Sequence, residues 1–358
     1  MTQQHKRHKR QIACVVGVTA TLLSGLVAAA PTAASAAPHL VRAGESIQAA
    51  LDAASPGDTV HVLPGTYRES VRITTSGVTL RGSGTKTVIS PPAAADTSGP
   101  CAGHGICVVG TTTEDLTDVS IRSLTVTGFP QHGLWASRTD GLNVREVTAR
   151  DNGVWGLAQQ RSTRAVFRHN TATGNGDAGI FVANAIDAEG GATDTGGTLI
   201  ADNRLSDNRI GITVRRVRNL TVRANEISAN CAGLFIVGDE SKPAAGAMSV
   251  LGNTVEKNNK LCPATPRLPA IQGSGIVLTG SEASVIRGNE VRDNIGSQPM
   301  SGGIVLVPSM VGATNTDNTI EHNDVRGNTT ADLVHRGEGS GNTFTGNVCQ
   351  SSEPAGMC

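Results

Sequence analysis

Of 358 residues, 43 are glycine and 15 proline, whereas two Trp, one Tyr and five Phe supply all the large rings. Thirty basic side chains balance thirty acidic ones, which excludes a basic nucleic-acid binder and an acidic disordered tail. The core must be packed from many small aliphatic residues in a repetitive way, so regular β stacking is favoured over a conventional globular enzyme domain.

The chain opens with Lys6, Arg7, Lys9 and Arg10, an apolar run from Ile12 to Ala30, and Ala34-Ser35-Ala36. A cationic start, an apolar stretch and a small-residue cleavage pattern predict a secretory signal peptide over 1–36. Thr19, Thr21, Ser24 and Gly25 inside the run weigh against a membrane anchor, and the lack of an Arg-Arg pair favours the general route over the twin-arginine one. The predicted mature domain, 37–358, is slightly acidic and contains no further run near ~20 apolar residues, so it is expected to be secreted, extracellular and without a membrane span.

Next comes a short helix over 46–54, with Ile47, Ala50, Leu51 and Ala54 at helical spacing and Ser46 as N-cap. It is expected to cover the first layer of the fold, because an open sheet end presents unpaired edges. Cys14 leaves with the leader. The remaining Cys101, Cys107, Cys231, Cys262, Cys349 and Cys358 are an even set in an exported chain. Pairing sequence neighbours gives Cys101–Cys107, Cys231–Cys262 and Cys349–Cys358. No CxxC pair or nearby His cluster supports zinc instead.

From the middle of the chain onward the sequence repeats. Ile200-Ala-Asp-Asn203-Arg-Leu-Ser-Asp-Asn208 recurs as Val222-Arg-Ala-Asn225-Glu-Ile-Ser-Ala-Asn230, and again around Asn253, Asn289 and Asn323, with an earlier copy at Asn170 and a truncated one at Asn347. Successive first asparagines lie 33, 22, 28, 36, 34 and 24 residues apart, so about 22 is the unit and the excess is inserted loop. Each copy is followed by Gly, a branched aliphatic and a second apolar residue, as in Gly179-Ile-Phe-Val182. About 22 residues hold three short strands and their turns but no helix of ten residues. The prediction is an all-β, single-stranded parallel β-helix of about ten coils, with the asparagines as turn and ladder elements.

The opening Ile47-Gln-Ala-Ala-Leu-Asp-Ala-Ala, Pro56-Gly-Asp-Thr-Val-His-Val-Leu-Pro-Gly-Thr-Tyr67-Arg-Glu69 and Val78-Thr-Leu-Arg-Gly82 resembles the pectin-lyase-like right-handed β-helix superfamily. The Gly-Asn repeats resemble its secreted bacterial β-helix and nitrous-oxide-accessory (NosD-like) branches. The resemblance implies a right-handed coil over the whole mature chain, but it does not fix an activity, since that fold hosts lyases, hydrolases, esterases, epimerases and adhesins. Gly65-Thr-Tyr67-Arg-Glu69 is similar to a pectin methylesterase element and Gly103-His104-Gly105 to a polygalacturonase one, yet the paired aspartates of those enzymes have no counterpart here. The copper expected of a NosD-like protein finds no His/Met/Cys cluster.

Strand alternation sends Leu134, Leu157, Ile180, Ile212 and Leu234 inward, and Trp135, Phe181 and Phe235 outward. Arg138, Arg161 and Arg216 follow at equal offsets, with Arg215 beside the last. Guanidinium forks beside aromatic faces suit a polymer bearing carboxylates at regular intervals. His132-Gly-Leu-Trp-Ala-Ser-Arg138 also resembles an alginate-epimerase strand, although the Asp-Pro-His element of those enzymes is missing.

Two functions are weighed. One is a lyase or epimerase acting on an acidic, uronic-acid-containing polysaccharide, with His132 as base, Arg138 and Arg161 as stabilisers, and Trp135, Phe181, Arg215, Arg216 and Phe235 binding substrate. The other is a non-catalytic extracellular β-helix that binds a surface glycan or a protein, its aromatics roofed by inserted loops (185–198, 239–247, 259–273) and its arginines paired with acids. No cofactor is expected. Asp177, Asp187, Glu189 and Asp194 could offer oxygens to Ca²⁺, but without fixed ligand spacing. No nucleic-acid partner is expected, and the protein is read as a monomer.

Overall fold

Each turn of the chain folds into three short strands and three sharp corners. In the computed structural model, residues 38–93, 101–266 and 268–358 are described, all within the unit Ala36–Cys358; the predicted signal peptide lies outside the described residues. The coil that begins at Asn143 shows the rule. Strand Asn143–Arg150 bends at Glu146 (φ 54°), turns again at Asp151 (φ 55°), continues as Leu157–Gln160 and turns a third time at Arg161 (φ 47°). Every coil then pairs in parallel with the next: Asn143–Arg150 lies on Ser120–Thr127 behind it and on Val166–Arg168 and Thr171–Thr173 ahead. Among the described residues this produces a 20-stranded sheet wrapping two sides of the coil and an 11-stranded sheet forming the third. One strand of the smaller sheet per coil gives eleven coils, against about ten expected.

The interior is a set of aliphatic columns. Leu134, Leu157, Ile180, Ile212 and Leu234 stack in register and are fully buried, as alternation predicts. The glycine before each of these residues is required by close approach. A Cβ on Gly233 would lie 2.4 Å from Val255 Cγ1 and 2.7 Å from the Gly275 carbonyl oxygen.

Two asparagine ladders run along the corners. In the first, the Asn203 backbone N–H and side-chain amide both donate to Asn225 Oδ1 (3.0 and 2.9 Å), and the same pattern links Asn170, Asn253, Asn289, Asn323 and Asn347. A parallel ladder links Asn152, Asn175, Asn208, Asn230, Asn258, Asn294 and Asn328. The sequence separations between rungs, 33, 22, 28, 36, 34 and 24, reproduce the predicted repeat spacing, with the excess looped out.

Both ends are closed. The helix runs over Ile47–Asp52, inside the expected 46–54, because Ser46 is its N-cap and Ala53 its C-cap. Ile47 and Leu51 are buried against the first coil. Glu69 accepts from Ile47 N–H (2.8 Å), Gln48 N–H (3.2 Å) and the Ser46 hydroxyl (3.0 Å), so its carboxylate sits on the helix start. Tyr67 is buried, its hydroxyl donating to the Leu63 carbonyl at 2.9 Å. The Gly65–Glu69 element is thus spent on the cap. At the other end Asp332 terminates the second ladder, accepting from Asn328 N–H (3.0 Å) and Asn328 Nδ2 (3.1 Å). The six cysteines among the described residues pair as Cys101–Cys107, Cys231–Cys262 and Cys349–Cys358, with Cα separations of 5.6, 5.9 and 5.3 Å.

Candidate functional site

The outer face of the 11-stranded sheet carries the residues singled out from the sequence. Trp135, Ala158, Phe181, Thr213 and Phe235 do form one column in register. The column is covered, however: Trp135 is 7%, Phe181 5% and Phe235 1% exposed. Phe235 packs with Cys231, Ile271 and Val277 beneath the loop tied by Cys231–Cys262. Trp135 and Phe181 pack with Cys107, Ala158, Trp155 and Ile186. The expectation of open aromatic faces is therefore corrected. Inserted loops bury these rings because an exposed apolar column of this length is unfavourable in water.

His132 occupies a rung in a stack. His104, His132 and Trp155 each precede a strand glycine in successive coils, so the coil rise of about 4.8 Å sets their rings face to face. Ring centroids lie 4.6 Å apart for His104 and His132, 4.3 Å for His132 and Trp155, and 3.9 Å for Trp155 and Phe181. Nδ1 of His132 accepts the Trp155 backbone N–H at 3.3 Å. Burial, with His104 alongside, pushes the His132 pKa down to about 3; burial alone brings His104 to about 4. A neutral imidazole roofed on both faces and already accepting through Nδ1 is placed for packing, so the assignment of His132 as a base is corrected too. The Trp155 indole donates to Asp177 Oδ2 at 3.0 Å, and burial raises the Asp177 pKa.

The arginines diverge in their surroundings. Arg138, Arg161 and Arg216 share the third corner in left-handed backbone conformations. Arg161 pairs with Asp187 at 2.7 Å. Arg216 is buried between Glu189 and Asp239 and pairs with both. Arg138 has no acidic partner among the described residues, and Arg215 faces outward in register with Ala183 and Val237. Arg161 and Arg216 are thereby engaged by loop carboxylates, which corrects the expected stripe of free guanidiniums on this face. The carboxylates considered for Ca²⁺ each have separate partners: Asp187 and Glu189 the arginines just named, Asp177 the indole, and Asp194 the Gly196 N–H (2.8 Å) and the Asn219 amide (3.0 Å).

An open concavity lies on the outer face of the larger sheet. A cleft of about 490 Å³ runs across several coils of the larger sheet, walled by the turn Gly82–Thr85 and lined by Arg81, Ser123, Glu146, Thr148, His169 and Thr171. Ser123, Glu146 and His169 occupy the same left-handed corner (φ 56°, 54° and 55°) in three consecutive coils, because Leu124 pairs with Val147 and Thr148 with Thr171. The Ser123 hydroxyl donates to Glu146 Oε2 at 2.6 Å. The His169 imidazole is exposed and has no side-chain partner among the described residues. A carboxylate and an imidazole thus stand one coil apart, with Arg81 at the far end. Sequence reasoning passed over these residues although the repeat marks them: His169 immediately precedes a ladder asparagine, the position that turns outward at the corner.

Residues 76–255 match the family model described as the right handed beta helix region. Residues 188–357 match the one described as periplasmic copper-binding protein (NosD). No curated protein matches. Similar solved structures include the Azotobacter vinelandii mannuronan C-5 epimerase AlgE4 A-module, at 18% identity and TM-score 0.56, covering 86% of this chain and 94% of that one. The periplasmic alginate epimerase AlgG follows at 14% identity and TM-score 0.57, covering 87% and 76%. The enzymatically active domain of bacteriophage CBA120 tailspike protein 2 is similar at 11% identity and TM-score 0.54, over 78% of this chain and 39% of that one. At these identities the likeness is one of fold. Copper does not fit the residues of the NosD-matched segment: its three cysteines, Cys231, Cys262 and Cys349, are in disulfides, His322 lies beside Glu321 and His335 beside Asn342, and Met248 and Met300 are buried. No group of three or more His, Cys, Asp or Glu could hold an ion among the described residues.

Proposed function

The chain belongs to the right-handed β-helix family, and from that premise we propose that it is an exported, carbohydrate-active protein. Its substrate on this reading is an acidic, uronic-acid-containing polysaccharide, taken in the cleft between Arg81 and His169. The observation that carries the reading is the cleft itself, where an imidazole, a carboxylate and a guanidinium line one polar surface on a rigid scaffold. Lyase and epimerase chemistry both begin by removing a proton next to a carboxylate, which needs a base and a cation facing the developing enolate. His169 is assigned the base, Glu146, held by the Ser123 hydroxyl, stands one coil from it, and Arg81 holds a substrate carboxylate. Three disulfides favour an oxidising compartment outside the cytosol, periplasmic or extracellular, as do the predicted signal peptide and the periplasmic labels of the NosD family and AlgG. One chain builds the whole cleft, so a monomer suffices.

The test is turnover of alginate and pectate, followed by ultraviolet absorbance of the unsaturated product and by NMR of the polymer for epimerisation. His169→Ala should reduce turnover at least 100-fold, while His132→Phe, which keeps a ring in the stack, should retain it. Binding of either polymer without any turnover would replace this reading with the non-catalytic one.

A further inference from the structure

The register of the larger sheet aligns six arginines that the cleft only begins to use. Arg81 pairs with Arg122, Arg122 with Arg145, and Arg145 with Arg168 in four consecutive coils. The column continues through Ala201 to Arg223, then through Leu251 to Arg287. His61 extends it by one coil toward the N-terminus. Each arginine follows a fully buried residue (Leu80, Ile121, Val144, Phe167, Val222 and Ile286), so all six point outward, and Arg81, Arg122, Arg145 and Arg287 are exposed.

Only two of the six have an acidic partner among the described residues: Arg168 pairs with Asp202 at 2.8 Å and Arg287 with Glu321 at 3.6 Å. Arg145 donates to the neutral Asn143 side chain. The outward column two residues earlier is uncharged, with Thr79, Ser120, Asn143 and Val166 in register, while the corner on the other side carries Glu146. Like charges directly opposite one another destabilise a sheet. Four arginines stacked about 4.8 Å apart at the backbone therefore cost the fold stability, a cost that Arg204 avoids by standing in register with Glu226 and pairing with it.

We propose that this arginine column is an extended docking track for a linear polycarboxylate lying along the coil axis, with successive acidic sugars meeting successive guanidiniums. The proposal rests on the acidic-polysaccharide reading and deepens it, because Arg81 belongs to both cleft and track. Charge complementarity identifies the occupant. A guanidinium fork matches a carboxylate in two parallel hydrogen bonds, and the rise of the coil repeats that fork at a fixed interval. The track also requires a chain long enough to cross several coils, so affinity should climb with oligomer length and then level off.

The experiment measures retention of the full mature chain in gels containing alginate or pectate, with dextran as the uncharged control and inorganic polyphosphate as a second polyanion. Arg122 and Arg145 are replaced together by Ser, both being exposed and neither lining the cleft. The double variant should bind polyuronate at least tenfold more weakly, with a melting temperature equal to or above that of the wild type and a flatter salt dependence. Leu251→Arg, which fills a gap in the column, should bind more tightly than the wild type. Equal retention of wild type and double variant would overturn the track while leaving the polysaccharide reading in place. No retention of the wild type by either polyuronate would overturn both. Tighter binding of polyphosphate than of polyuronate would overturn the assignment of the occupant.

Discussion

At the scale of single residues, the stacked histidines make stability depend on pH in a definite direction. Folded His104 and His132 titrate near 4 and 3, well below the 6.5 of a free imidazole, because burial penalises the cation. The unfolded chain takes up those protons first. The stabilisation is therefore complete above about pH 6.5 and is lost as pH falls through 6.5 toward 4 and 3. A gap of one unit is worth about 1.4 kcal/mol, so the His104 ring alone accounts for roughly 3 kcal/mol by pH 4. Nδ1 of His104 is buried without a hydrogen-bond partner among the described residues. His104→Phe therefore removes both a titrating group and an unsatisfied atom. Its melting temperature should equal or exceed that of the wild type at pH 7 and fall less between pH 7 and 4.5; a slope identical to the wild type's would discount the stack as an acid-sensitive element.

At the scale of elements, the asparagine ladder was legible because its rungs are chemically fixed: no other side chain offers one acceptor and two donors of that length in an uncharged form. Removing a rung leaves partners stranded on both sides. Asn225 accepts from Asn203 N–H and Nδ2 and donates to the Ile200 carbonyl and Asn253 Oδ1, all in the buried corner. Each unsatisfied group costs about 1–3 kcal/mol, so Asn225→Ala should lose about 3 kcal/mol or more in a denaturant titration. The strand alternation and the inward column were equally readable. What lay over the strands was open to two readings. Sequence offsets put Trp135, Phe181 and Phe235 in one column, and either open faces or a roof of inserted loops fitted it, because the loops have no periodicity from which to infer their path. The arginines show the same division. Arg168, Arg223 and Arg287 each stand two residues before a ladder asparagine, which puts them in register without any knowledge of loops. Arg161 and Arg216 follow the third corner, where inserted loops supply Asp187 and Glu189. A repeat discloses what it positions itself, and the floor of the cleft, Ser123, Glu146 and His169, is made of such positions.

At the scale of the whole molecule, both ladders point one way. Every rung accepts from the coil before it and donates to the coil after it, so the last rung needs an acceptor that is not an asparagine. Asp332 supplies it for the second ladder; its other oxygen takes the Gln350 N–H (2.9 Å) and the Ser351 N–H (3.2 Å). The array therefore has a direction and a terminator, as a ruler has a zero and an end-stop, while nothing in the rungs counts how many stand between. Length becomes an adjustable property of this molecule. Excising 203–224, one 22-residue rung interval, joins Asp202 to Asn225 and should leave a folded, shorter coil with a single cooperative melt. Asp332→Ala keeps every coil but deprives the final rung of its acceptor, and it should expose the last coils to limited proteolysis. A chain that tolerates the loss of a coil but not of its end-stop could change its reach along a polymer by duplication alone.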